Sequence, residues 1–156
     1  MRVYLDSCCL NRPFDDQSQE RIRIESESVR LILARVSAGG LEWIGSDALA
    51  WEISKTPSEE RRLQLAALLS AATEHVRVTA ETAYRAAELI GGGMDAADAL
   101  HIACAESSLA DVMLTTDDRL LRLCRRMGKR IRVRVANPLQ WLMEETEDGN
   151  QDIDAG

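Results

Sequence analysis

The sequence predicts an α/β domain built on a parallel sheet covered by helices on both faces. Two observations carry this. Short β-prone runs alternate with longer amphipathic segments along the chain, the pattern of βαβ units. No internal repeat, Pro- or Ser-rich linker or second core interrupts the 156 residues, so one domain over residues 1–143 accounts for the folded part.

Taken in order, residues 2–5 form the first strand, an apolar run that stops at Asp6. From about Ser18 to Ala38, Ile22, Ile24, Val29, Ile32, Leu33 and Val36 are spaced for a helix, closed by Gly39-Gly40. Leu41 to Ile44 is a short strand ending at Gly45-Ser46, and 47–55 a short helix. Thr56-Pro57-Ser58-Glu59 supplies an N-cap, a first-turn proline and an acid three residues on, so a helix runs from there to about Thr73. His75 to Val78 is the third strand. A helix over 80–90 stops at Gly91-Gly92-Gly93, and Asp95 opens an alanine-rich helix through Ser107. Val112 to Leu114 is the fourth strand, Asp118 to Met127 a helix, and Ile131 to Val135 the fifth strand. Asn137-Pro138 starts a last helix around Trp141, and the acidic residues 144–156 read as a disordered tail.

Composition bounds the function classes. No apolar stretch approaches the roughly 18 residues that span a bilayer. The chain opens on its first strand without a basic n-region or apolar h-region, so a cytoplasmic, non-membrane protein is expected. Cys8, Cys9, Cys104 and Cys124 lack zinc-ligand spacing and read as reduced thiols. Most of the net charge of −7 lies in residues 144–156, with six acids and no base. Between Arg119 and Arg134 there are eight bases and no acid. A polyanionic substrate is therefore compatible with the acidic total.

In parallel sheets, ligands bind beyond the carboxyl ends of the strands, and acids stand there. Asp6 ends the first strand, Asp117 follows the fourth, Glu52 lies one or two turns after the second, and Asp98 lies in the first turn of the helix after the glycine loop. Each has an ordinary alternative: a turn for Asp6, a helix cap for Asp117 or Asp118, a surface residue for Glu52, a favourable helix start for Asp98. Together they form a candidate site. Asp98 is flanked by alanines and Leu100, and Glu52 by Trp51 and Ile53, with no base in either segment. Carboxylates in apolar segments need a cation, and oxygen ligands point to Mg²⁺ or Mn²⁺. Such ions act on phosphates. Asp95 reads as the N-cap of its helix. His101, three residues beyond Asp98, is either a core histidine or a group that orients a carboxylate or touches substrate. Ser7, Ser46, Thr115 and Thr116 at the strand ends bind carboxylates or make turns.

The chain resembles the PIN-domain family, in particular the toxin-type ribonucleases of bacterial toxin–antitoxin pairs, over Arg2 to about Leu142. "VYLDSCCLNRPFDD" is similar to the opening of one branch and places the first family acid on Asp6. "SDALAWEI" places the second on Glu52, "AADALHIACAE" the third on Asp98, and "MLTTDDRLL" the fourth on Asp117. "VANPLQWL" resembles the closing strand, Asn-Pro and helix. The resemblance implies a three-layer α/β/α sandwich with a central parallel sheet. It implies an endoribonuclease whose Mg²⁺ or Mn²⁺ is held by that quartet, with Asp6 and Asp98 as direct ligands. Arg12, Arg119, Arg122 and Arg126 become candidate RNA contacts. An antitoxin protein and homodimerisation are further implied. Asp95, a fifth acid, departs from several relatives and is explained only as a cap.

Other readings fit less well. "IGGGM" follows no strand and lacks the Lys-Ser/Thr of a phosphate loop. A haloacid-type phosphatase needs an acid where Cys8 stands, and a receiver domain needs one after the third strand, where Thr79-Ala80 stand. The competing class is a catalytically inactive PIN-fold module that binds RNA or a protein partner.

Overall fold

The computed structural model describes residues 1–154. Five strands, β1 (Arg2–Leu5), β2 (Glu42–Ser46), β3 (Glu74–Val76), β4 (Val112–Leu114) and β5 (Arg134–Ala136), form one sheet in the order β3-β2-β1-β4-β5. Every pairing is parallel. The helices are α1 (Ser7–Asn11), α2 (Glu20–Ser37), α3 (Asp47–Ser54), α4 (Glu59–Leu69), α5 (Ala80–Gly91), α6 (Ala96–Ser107), α7 (Asp118–Met127) and α8 (Pro138–Asp154). Parallel strands demand crossover helices, and the central strands are buried along their length, as expected of a sheet covered on both faces. Val3, Tyr4, Leu5, Trp43, Ile44, Met113 and Leu114 are fully buried in one core with Ile32, Leu49, Ile102 and Trp141.

The topology fixes where a site can be. From central β1 the chain moves outward to β2 and β3, then crosses back to β4 and β5 on the other side of β1. Strand order therefore reverses between β1 and β4, and the crevice beyond their carboxyl ends is the natural ligand position. Leu5 pairs with Leu114, and the Asp6 amide donates to the Leu114 carbonyl at 3.0 Å. The switch point is thus bordered by Asp6 on one strand and Thr115 to Asp117 on the other.

Several element boundaries differ from the sequence prediction, each for a local reason. Residues 7–11 form α1, unforeseen because the helix is short and is started by Asp6, whose carboxylate accepts from the Ser7 amide at 2.7 Å. Helix α4 is capped by Ser58, whose hydroxyl accepts from the Arg61 amide, in place of Thr56. Strand β3 stops at Val76 because the Val78 amide is taken by the Asp47 carboxylate at 2.9 Å. Strand β5 begins at Arg134, since the Arg132 amide goes to the Glu106 carboxylate at 2.8 Å and leaves the ladder. Helix α8 continues through the acidic segment to Asp154, where a disordered tail was expected from residue 144; Asn137 starts it by accepting from the Leu139 amide, and buried Trp141 and Leu142 anchor its first turns. Residues 155–156 lie outside the described residues. No described helix is long and apolar enough to cross a membrane.

Candidate functional site

Asp6 is the fixed point of the site. It is 5 % exposed, and its second carboxylate oxygen accepts from the Thr115 hydroxyl at 3.0 Å. Thr115 in turn accepts from the Asp117 amide at 3.2 Å, so the two strand ends are tied together. Cys8 wedges between them: its thiol lies 3.5 Å from the Asp6 carboxylate and 3.2 Å from the Thr115 hydroxyl, and it accepts from the Thr116 amide at 3.3 Å. The sequence offered no signal for this thiol. Cys9, Cys104 and Cys124 are buried and all four cysteines are free, as expected.

Glu52 arrives on α3, which starts where β2 ends. Ser46 caps that helix by accepting from the Leu49 amide at 3.1 Å. Facing Glu52 is His101 of α6, 1 % exposed, with Nε2 at 3.0 Å from Glu52 and 3.8 Å from Asp6. The opposite ring nitrogen, Nδ1, lies 2.6 Å from the Tyr4 hydroxyl, which is itself 2.7 Å from the Ser46 hydroxyl. His101 is therefore a satisfied core histidine that also orients a carboxylate, and the carboxylate is Glu52, not Asp98. Burial disfavours the charged imidazolium, but the hydrogen bond it donates to Glu52 and the charges of Asp6, Glu52 and Asp98 outweigh it and raise its pKa. Burial also disfavours ionised Glu52, yet His101 prevails and lowers its pKa. Tyr4 belongs to the site although its side chain titrates far above its ordinary value, because burial suppresses the phenolate. Its signal in the sequence is position: Tyr4 is two residues before Asp6 and so points to the same side of the sheet.

Tyr4→Phe removes only one oxygen. It leaves His101 Nδ1 buried without its partner, which costs about 1–3 kcal/mol. Urea unfolding at neutral pH measures that loss, and an unchanged midpoint would show that the chain through Ser46 is structurally idle.

Asp98 stands in the first turn of α6, its side chain 19 % exposed. Burial and then the charges of Asp6, Asp117 and Asp95 push its carboxyl up to about 6, against an ordinary 3.8. The base nearest to it is Arg119, at 3.7 Å. Asp117 caps α7, accepting from the Arg119 and Leu120 amides at 2.9 and 3.3 Å. Asp117 thus combines the cap role with a place at the site. The acids stand on four separate elements; Asp6 and Glu52 meet at His101, and Asp98 feels the charges of Asp6 and Asp117.

The remaining candidates divide. Asp118 spends its carboxylate on the Arg21 fork, at 2.7 and 2.9 Å, which lowers its pKa. Arg12 is held by Glu25 at 3.1 Å and Asp15 at 3.2 Å, in a network that Asn137 joins through buried Glu25. Arg119, Arg122 and Arg126 are exposed on α7. Asp95 occupies the N-cap position of α6 without a side-chain cap hydrogen bond.

Three ligand atoms, from Asp6, Glu52 and His101, lie within 4.8 Å of one another. Asp98 and Asp117 are not among these three, although the charge of Asp98 acts on His101 and that of Asp117 on Asp98. Oxygen donors dominate, His101 Nε2 already faces Glu52 at 3.0 Å, and the cation nearest Asp98, Arg119, stands no closer than 3.7 Å. Such a donor set fits a hard divalent ion.

The family profile described as PIN domain matches residues 3–126. FitAcB from Neisseria gonorrhoeae is similar in structure, with a TM-score of 0.55 and 18% identity over 87% of this chain and 97% of that one. VapBC2 from Rickettsia felis, solved bound to a DNA fragment from their promoter, has a TM-score of 0.54 and 15% identity over 88% of this chain and 98% of that one. No curated protein matches the chain at a significant level.

Proposed function

The chain belongs to the PIN domain family, and from that premise we propose that it is a metal-dependent endoribonuclease, the toxin of a toxin–antitoxin pair. One observation carries the reading. Asp6, Asp98 and Asp117 stand on three different elements, and burial, followed by the charges of Asp6 and Asp117, pushes the Asp98 carboxyl up to about 6. A fold does not keep such a cluster for stability, because like charges at short range destabilise it.

In this reading Asp6 and Asp98 would hold Mg²⁺ or Mn²⁺, with Glu52 and Asp117 as further carboxylates of the site. The ion supplies Lewis-acid polarisation of a phosphoryl oxygen and a more acidic water. Thr115, the Ser7 amide and Cys8 fix the Asp6 carboxylate, so its lone pairs need no reorganisation on binding. His101, set by Tyr4 and Ser46, fixes Glu52 and keeps a proton at Nε2 on the edge of the site. The exposed arginines of α7 offer a path for the RNA backbone. The resemblance to toxin-type relatives, with the fold likeness to FitAcB and VapBC2, supports an antitoxin as protein partner.

The test is cleavage of a labelled single-stranded RNA with Mn²⁺ added and then chelated. Cleavage that appears with Mn²⁺ and stops with EDTA is the expected result. A protein that binds no Mn²⁺ at millimolar concentration and leaves RNA intact is a binding module instead.

A further inference from the structure

Asp95 is the acid that capping does not explain. It stands at the N-cap position of α6, yet its carboxylate makes no cap hydrogen bond. It meets Arg119 instead, Oδ2 to Nη2 at 2.5 Å, and the same Nη2 lies 3.7 Å from Asp98. The backbone amide of Arg119 donates to Asp117 at 2.9 Å. One residue thus touches Asp95 and Asp117 and reaches toward Asp98. The pair flanks a cavity of about 130 Å³ lined by Gly93, Asp95, Asp98, Arg119, Leu120 and Arg126, among others.

Stability does not account for the pair. Both side chains are more than half exposed, at 66% and 59%, and such surface ion pairs contribute little. Electrostatics at the site does. Asp6, Glu52, Asp98 and Asp117 present four negative charges to an incoming phosphodiester, and one divalent ion offsets only two of them. A second positive group is needed where the phosphate sits. Arg119 is placed for it: its Nε and Nη1 donate to no partner among the described residues. A planar guanidinium with free donors is the side chain suited to phosphate oxygens. Left without Asp95, the same guanidinium would settle on Asp98 and compete with the metal.

From the Asp95–Arg119–Asp98 geometry we infer that Arg119 is a catalytic residue that contacts a non-bridging oxygen of the scissile phosphate, and that Asp95 is a positioning residue that holds its guanidinium off Asp98. The inference rests on the nuclease reading above and deepens it.

Four variants test it: R119A, R119K, D95N and the double variant D95N/R119A, each measured for Mn²⁺ affinity by calorimetry without RNA and for RNA cleavage at saturating Mn²⁺. R119A is expected to lower kcat at least about tenfold while binding Mn²⁺ as tightly as wild type or more tightly. D95N is expected to weaken Mn²⁺ binding by about tenfold, and the double variant to recover it, because the competing cation is gone. R119K should keep wild-type Mn²⁺ affinity and leave kcat as low as R119A does, since an ammonium lacks the fork. Wild-type kcat in R119A, or Mn²⁺ affinity in D95N that is normal or is not recovered by removing Arg119, would overturn the inference. A wild type that binds Mn²⁺ without cutting RNA overturns the nuclease reading instead, and the Mn²⁺ arm then decides whether Asp95 holds Arg119 off the metal site.

Discussion

Asp98→Asn is expected to abolish Mn²⁺ binding and to reduce RNA cleavage to below about 1% of wild type, while raising the melting temperature of the metal-free protein at pH 7. The two effects have one cause. Asp98 sits where burial and the charges of Asp6, Asp117 and Asp95 oppose its ionisation. Ionised at pH 7, it destabilises the empty site, and that cost is returned only when a cation arrives. Asparagine keeps the shape and removes the charge, so the apo fold relaxes as the ligand disappears. An ordinary structural acid would behave in the opposite way, because its loss would break a favourable pair and lower the melting temperature. Calorimetric titration of Mn²⁺, a thermal melt in EDTA and the cleavage assay together decide. Retained Mn²⁺ binding in Asp98→Asn would move the metal elsewhere, and a lowered apo melting temperature would make Asp98 a structural residue.

Much of this was legible in the sequence because it was local. The alternation of strands with helices gave the parallel α/β class, and acids directly following β1 and β4 had to lie at the carboxyl edge of the sheet. What the sequence hid was mostly made by contacts between distant residues. Tyr4 and His101 are 97 positions apart, and Cys8 and Thr116 are 108 apart, so no spacing or period records those pairs. Asp95 looked like a cap because position and residue type both suit one, but Arg119, 24 residues on, offers a charged partner that an amide does not match. The absence of bases beside Glu52 and Asp98 held within each segment only; folding brings His101 to the first and Arg119 to the second. Composition alone argues for disorder over residues 144–154, whereas α8 runs on from buried first turns, a nucleus that an isolated acidic peptide lacks.

Metal binding should release protons below neutral pH, and Asp98 should be the source. Its carboxyl titrates near 6 in the metal-free protein, above the ordinary 3.8, whereas a bound cation requires the carboxylate. Apparent Mn²⁺ affinity is therefore flat above about pH 7 and falls roughly tenfold per pH unit below the Asp98 pKa. At pH 5 close to one proton leaves per ion bound, and at pH 8 almost none. The folded-state pKa is raised, so the sign for apo stability is fixed as well: the protonated group's contribution is complete below the unfolded value of 3.8 and is lost as pH rises through about 6. His101 is also raised and titrates beside Glu52 and Asp6, so the macroscopic curve belongs to the cluster. His101→Gln isolates the carboxyl: the variant loses the imidazole proton but keeps Asp98 among Asp6, Asp117 and Asp95. Calorimetry at pH 5.5 in two buffers of different ionisation enthalpy counts the protons. Release that persists in His101→Gln places the proton on the carboxyl, whereas release that vanishes there places it on the imidazole, and in that case the repulsion among the acids is not what the metal relieves.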